Sequence, residues 1–164
     1  MATPRTEAKR TGRKGRASHA GRGESRKLRG NYKKLLGLRT ENNLAVVEHV
    51  KRGLQFNSVE RLREQMDLSS KDMAELLQIK FRTFLRRKKE GRLRPDESDR
   101  LIRASRLFAR AVDLFDGNAE AAKAWLLRAQ RALGGAVPLE MARTELGARE
   151  VERVIGRLEH GVFT

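Results

Sequence analysis

The stretch LSSKDMAELLQIKFRTFLRRKK, residues 68–89, restricts the local fold more than any other part of the chain. It reads as two short helices joined by a tight turn. Ser69 or Ser70 supplies a hydroxyl for an orphan amide at the start of the first helix, and Asp72 and Glu75 suit its positive end. Met73, Leu76 and Leu77 then recur at i, i+3 and i+4, one buried face, and Ala74 is small enough for a second helix to cross closely. After a turn at Gln78-Ile79, Phe81, Phe84 and Leu85 repeat that spacing as an apolar back. The front of the second helix carries Lys80, Arg82, Thr83, Arg86, Arg87, Lys88 and Lys89. An apolar back with a cationic front suits a DNA groove, where phosphates supply affinity and Arg reads guanine edges. The pattern predicts a helix-turn-helix whose second helix is the reading helix.

Two positions depart from the usual chemistry of that unit. Gln78 stands where the turn favours Gly, the residue that adopts a left-handed backbone without steric cost. Lys80 stands where a Ser or Thr cap is expected. The alternative is a helical hairpin with a solvated charged face; the density of basic residues favours the DNA reading.

Charge is distributed unevenly. Of the net +16, residues 1–34 hold 12 Lys/Arg against 2 acids, residues 35–67 hold 5 against 5, residues 68–103 hold 11 against 6, and residues 104–164 hold 9 against 8. A polyanion partner belongs to the first and third of these segments; the balanced last third requires a different task. The chain has no cysteine, which excludes disulfides, thiol catalysis and Cys-based zinc sites. His19, His49 and His160 are too far apart for ligand spacing, so no metal or cofactor is expected. No apolar run approaches the roughly 18 residues of a membrane span, and the N-terminus lacks the apolar core of a secretory signal. A cytoplasmic protein is expected, with no membrane partner. Carboxylates cluster at helix starts or beside Arg, and no Gly-rich phosphate loop follows a strand, so no catalytic residues are expected.

In chain order, residues 1–25 are rich in Gly, Arg, Lys, Ser and Thr and read as a disordered basic arm, either following phosphates or serving only as a solubilising tail. A helical pattern with Leu28, Tyr32, Leu35 and Leu36 on one side spans 26–38. A clearer helix is expected over 41–52, with Leu44, Val46, Val47 and Val50 inward and Gly53 as its stop. Residues 55–57 could be extended. Ser58 caps the next helix, through Asp67, with Val59, Leu62 and Met66 buried. Pro95 opens a long helix to about Phe115, burying Leu101, Ile102, Leu107, Phe108, Ala111, Val112 and Phe115. Further helices are expected over 119–132, with Trp125 and Leu126 buried, and over 139–144. A last one, opened by Gly147, carries Val151, Val154, Ile155 and Leu158 and stops at Gly161. The fold class is all-α: a disordered arm (1–25), a helix-turn-helix DNA-binding and dimerisation domain (26–115), and a small helical C-terminal domain (116–164).

Certain residues at fixed intervals carry a resemblance. They are Gly53-Leu54, Leu68-Ser69, Arg82-Thr83, Arg86-Arg87, Gly91-Arg92-Leu93, Glu97-Ser98-Asp99-Arg100-Leu101 and Arg103. Further on come Ala122, Trp125-Leu126, Ala132-Leu133-Gly134-Gly135, Pro138-Leu139, Thr144, Gly147, Val151 and His160-Gly161 with Phe163. Over roughly residues 44–164 the chain resembles the Xre/ParS/MbcA family of antitoxins. Lys80 and Ala129 depart from the family pattern, which tends to Ser or Thr and to Pro at those places. The resemblance implies a partner toxin of the RES fold that degrades NAD or ADP-ribosylates a target, blocked by the C-terminal domain with the chain end near the toxin's NAD pocket. It also implies a homodimer that binds the operator DNA of its own operon and represses it.

On this reading the DNA contacts are Arg82, Thr83, Arg86 and Arg87, with Lys80, Lys88 and Lys89 mainly on phosphates. The toxin contacts are Arg149, Arg153 and Arg157, on one side of the last helix, and His160, Gly161, Val162, Phe163 and Thr164. The apolar Val162-Phe163 tip either inserts into a concave partner as an aromatic anchor or folds back on its own domain. Arg100 and Arg103 are expected to pair with acids on neighbouring helices, and Trp125 to pack in the core. A non-specific nucleic-acid-packaging protein and a DNA-binding regulator without a toxin are the alternatives.

Overall fold

The computed structural model describes residues 31–161; the basic arm, Leu28 and the Val162–Thr164 tip lie outside the described residues. Among the described residues the regular structure is helical, apart from one isolated bridge between Gln55 and Arg92, as the all-α expectation has it. The helices are α1 (Tyr32–Leu35), α2 (Asn43–Arg52), α3 (Phe56–Gln65), α4 (Ser70–Leu76), α5 (Phe81–Glu90) and α6 (Pro95–Leu114). They continue with α7 (Ala119–Leu126), a 3₁₀ turn (Arg131–Leu133), α8 (Pro138–Met141) and α9 (Glu145–Glu159).

α6 is the axis of the molecule. Pro95 at its first turn presets the helical φ, and the Glu97 carboxylate accepts from the Arg94 N–H at 2.8 Å. α1, α2, α4, α7 and α9 all pack against it. Its buried Leu101, Leu107, Phe108, Ala111 and Val112 join Phe84, Leu126 and Ile155 in one continuous core. Full burial of each large apolar side chain contributes roughly 1.5–3 kcal/mol.

Several helices end alike. After α3, α4 and α6 the second residue beyond the helix takes a left-handed backbone, at Asp67 (φ 46°), Gln78 (φ 54°) and Asp116 (φ 54°). Paired bonds then tie off the free carbonyls: at α4, Gln78 N–H to Glu75 O (2.8 Å) and Ile79 N–H to Ala74 O (3.0 Å). Gln78 therefore occupies the conformation that the sequence reading assigned to Gly.

Some expectations are corrected. α2 turns Val46 inward and leaves Leu44 75% and Val47 48% exposed, because only one side of α2 meets α6. Ser58 lies inside α3 rather than capping it; its hydroxyl donates to Leu36 O at 2.8 Å, binding α3 to the end of α1. Of residues 55–57 only Gln55 is extended, in its bridge to Arg92. The helix expected over 119–132 stops at Leu126, and the one over 139–144 runs from Pro138 to Met141. The last helix begins at Glu145, capped by the Thr144 hydroxyl accepting from Gly147 N–H at 3.1 Å. Gly147 is needed for another reason: a Cβ there would lie 1.9 Å from Met141 O, in the backbone of the preceding turn.

Candidate nucleic-acid interface and C-terminal surface

The helix-turn-helix is α4 and α5. Ser69 and Asp72 close a reciprocal cap on α4: Asp72 N–H donates to Ser69 Oγ (3.2 Å) and Ser69 N–H to Asp72 Oδ2 (3.0 Å). Those bonds from Ser69 hold the Asp72 carboxyl below its ordinary value of 3.8. Met73 and Ala74 are buried and Leu77 is fully so, which seats α4 beneath α5.

α5 starts without a side-chain cap, Lys80 being unable to accept a bond, and ends at Gly91 with φ 76°. Two side chains anchor it. Phe84 is fully buried and meets the Phe56 ring edge-on at 5.1 Å. Arg87 is 4% exposed: its Nε donates to both carboxylate oxygens of Glu97 (3.0 and 2.8 Å) and its Nη1 to Glu90 (2.6 Å). Arg87 therefore does not stand on the exposed front assigned to it in the sequence; a guanidinium's several donors are used to lock α5 onto the start of α6. Lys88 is exposed yet engaged, its Nζ 2.9 Å from Glu60 Oε1, and Glu60 also takes the Arg63 Nε at 2.6 Å. Partial burial pushes the Glu60 carboxyl up, but those hydrogen bonds outweigh it and hold the group below its ordinary 4.5.

Lys80, Arg82, Arg86 and Lys89 are exposed, and Thr83 is half-buried. Among the described residues Arg86 pairs with Glu90, at 3.6 Å. Sequence reasoning missed Phe81 and Leu85: assigned to the apolar back, they are 39% and 49% exposed. The reason is angular. At about 100° per residue, a face centred on Phe84 and Arg87 swings Phe81 and Leu85 toward solvent.

The turn Leu77-Gln78 is also tied to the rest of the chain. Arg100 Nη1 donates to Leu77 O (3.0 Å) while its Nη2 pairs with Asp96 (2.9 Å). Gln78 Nε2 and Arg103 Nη1 both donate to Arg143 O, at 3.2 and 3.0 Å. Arg103 also pairs with Asp99 on its own helix and with Glu145 on α9 (3.3 Å). The expectation of partners on a neighbouring helix thus holds for Arg103, whereas Arg100 pairs within α6. A cleft of about 340 Å³ opens between α4 and the α7–α8 region, with Leu76, Leu127 and Leu139 among its lining residues and Lys123 at its edge, bonded to Asp67 O at 2.8 Å.

In the C-terminal part, Trp125 is half-buried against the core. α9 lays Ala148, Val151, Val154 and Ile155 on α6, and an ionic seam runs alongside: Arg106 to Glu152 (3.0 Å) and Arg110 to Glu159 (3.1 Å). On its outer side Arg149, Arg153 and Arg157 are all exposed; the first two bond within the helix, to Glu145 (3.2 Å) and Glu150 (2.7 Å). His160 and Gly161 follow, exposed, with Gly161 at φ 66°. The remaining three expected contacts, Val162, Phe163 and Thr164, are outside the described residues.

Comparison with known proteins falls on these same two parts. Residues 45–106 match the family described as the antitoxin Xre-like helix-turn-helix domain. Residues 110–161 match the antitoxin Xre/MbcA/ParS C-terminal toxin-binding domain. The chain is 33% identical over 130 residues to antitoxin Xre of Yersinia enterocolitica serotype O:8 / biotype 1B, covering 79% of this chain and 88% of that protein. It is 35% identical over 113 residues to antitoxin Xre of Photorhabdus laumondii subsp. laumondii, covering 68% and 76%. A third similar protein, antitoxin Xre of Pseudomonas putida, is 34% identical over 84 residues, 51% of this chain and 52% of its own length.

Proposed function

The chain belongs to the Xre/MbcA/ParS family of antitoxins, and from that premise we propose that it is the antitoxin of a type II pair whose toxin is a RES-domain, NAD-consuming protein. The DNA-binding and dimerisation part is residues 26–115, and the toxin-binding part is residues 116–164. Lys80 at the cap of α5, and Arg82, Arg86 and Lys89 on it, approach operator DNA of the chain's own operon. A homodimer would set two such helices on half-sites one turn of DNA apart, about 34–36 Å. The outer side of α9 (Arg149, Arg153, Arg157) and His160 to Thr164 cover the toxin. The pair would work in the cytoplasm. No helix among the described residues is long and apolar enough to cross a membrane.

One observation carries this reading: a basic helix-turn-helix and a charge-balanced helical unit share α6 and one core, so a single chain presents two surfaces of different chemistry. The role proposed has no catalytic step for this chain; it blocks a site on another protein and occupies a promoter.

Co-expression with the product of a neighbouring RES reading frame tests it, following cellular NAD, with the chain intact and lacking residues 160–164. Preserved NAD with the intact chain alone supports both the pairing and the C-terminal plug. Protection by both chains keeps the pairing and removes the plug. With no protection and no complex, the pairing falls. DNase protection of the upstream DNA tests repression separately, since a packaging protein would cover every sequence alike.

A further inference from the structure

The outward surface of α5 is not uniformly cationic. Phe81 and Leu85, one turn apart, form an exposed hydrocarbon strip beside Lys88, and Lys89, Arg82 and Arg86 continue around the same side. The Phe81 ring lies nearly parallel to that of buried Phe84, with centroids 6.3 Å apart and planes at 11°, and the residue stays 39% exposed. An exposed aromatic at the first turn of a reading helix sits where such helices meet base edges.

Phosphates make no use of hydrocarbon. In the major groove of B-DNA the apolar group on a base edge is the 5-methyl of thymine, which apolar side chains contact. The surrounding cations select the occupant further. A second copy of this face would bring like charges together, whereas a DNA duplex supplies the opposite charge on both walls of the groove. We propose that Phe81 and Leu85 are specificity residues that seat against thymine methyl groups in the operator, with Arg82, Arg86 and Lys89 supplying polar and phosphate contacts around them. This rests on the proposal that the chain binds its own operator.

The experiment uses the full chain and the duplex protected from DNase in the DNA upstream of its reading frame. Each thymine is replaced singly by deoxyuridine, which removes only the methyl, and binding is followed by fluorescence anisotropy for the wild type, Phe81→Ala and Leu85→Ala. At one or two positions the replacement should weaken wild-type binding about fourfold, the loss of one buried methyl. At least one variant should bind the two duplexes equally there. Leu85 is exposed and outside the core, so its variant serves even if Phe81→Ala melts early. Indifference of the wild type at every thymine overturns the proposal, as does equal sensitivity of wild type and both variants. A change of oligomeric state in the variants with DNA binding intact overturns it too, by assigning the strip to a self-contact. Absence of any protected site overturns operator binding itself, and this proposal with it.

Discussion

The Arg87 guanidinium lies across the Glu97 carboxylate, Nε at 3.0 and 2.8 Å from the two oxygens, with Arg87 4% and Glu97 3% exposed. A buried pair of this kind adds little net stability compared with apolar residues of the same volume, but removing one partner leaves a charge stranded. Its structural effect is to fix the angle between α5 and α6, since Glu97 also takes the Arg94 N–H at the start of α6.

Arg87→Ala, which strands the buried Glu97 carboxylate, should therefore lower folding stability by about 3–5 kcal/mol, and Glu97→Ala should cost less, because Glu90 still holds the Arg87 guanidinium. The double variant should cost less than the sum of the two. Urea titrations of the four proteins check this. Additive losses would mean that the two side chains do not act as a pair.

Arg82→Ala should behave in the opposite way. The side chain is exposed and has no partner among the described residues, so stability should stay within about 0.5 kcal/mol of wild type. If Arg82 meets a phosphate, DNA affinity falls for all sequences and the slope of log K against log salt shrinks by about one. If it meets a base edge, the loss is confined to one position and amounts to roughly 1–3 kcal/mol. Anisotropy titrations across a salt series distinguish the two outcomes.

How these two arginines differ was not legible in the sequence. Residues 82–89 offer Arg82, Arg86, Arg87, Lys88 and Lys89 with nothing local to tell them apart. The distinction depends on Glu97, ten residues on and in another helix. The same limit explains Phe81 and Leu85: the run from Phe81 to Leu85 holds two overlapping apolar stripes, and only the position of Phe56 and α6 decides that Phe84 is the one inside. Val46 and Val47 on α2 present the same ambiguity between adjacent residues. Local chemistry was legible where it acts locally. Ser69 with Asp72 marked the start of α4, Pro95 the start of α6, and Gly91 the end of α5.

Gln78→Gly should stabilise the chain. The position has φ 54°, where a residue with a Cβ is strained by roughly 1–2 kcal/mol and glycine is not. The loss of the Gln78 bond to Arg143 O, on the surface, offsets part of that gain. A net rise of up to about 1 kcal/mol is expected, or about 2–4 °C in Tm for a domain of this size. Gln78→Val, which is β-branched, should move Tm the other way. A drop with glycine would mean that the Arg143 bond outweighs the strain.

Acid should loosen the α3–α5 contact before the core gives way. Glu60 receives Lys88 from α5 and Arg63 from α3, and its carboxyl is held below 4.5 in the folded chain. A depressed carboxylate stabilises the fold at pH above its unfolded value, and that contribution fades as pH falls through the lower folded value. Partial exposure and salt screening keep the effect small. Stability should thus decline on acidification below about pH 4.5, with part of the decline absent in Glu60→Gln, which carries no titrating group there. Denaturant midpoints for the two proteins at pH 7 and in steps down to pH 3 check this; parallel curves throughout would assign the acid sensitivity to other carboxylates, Asp72 first among them.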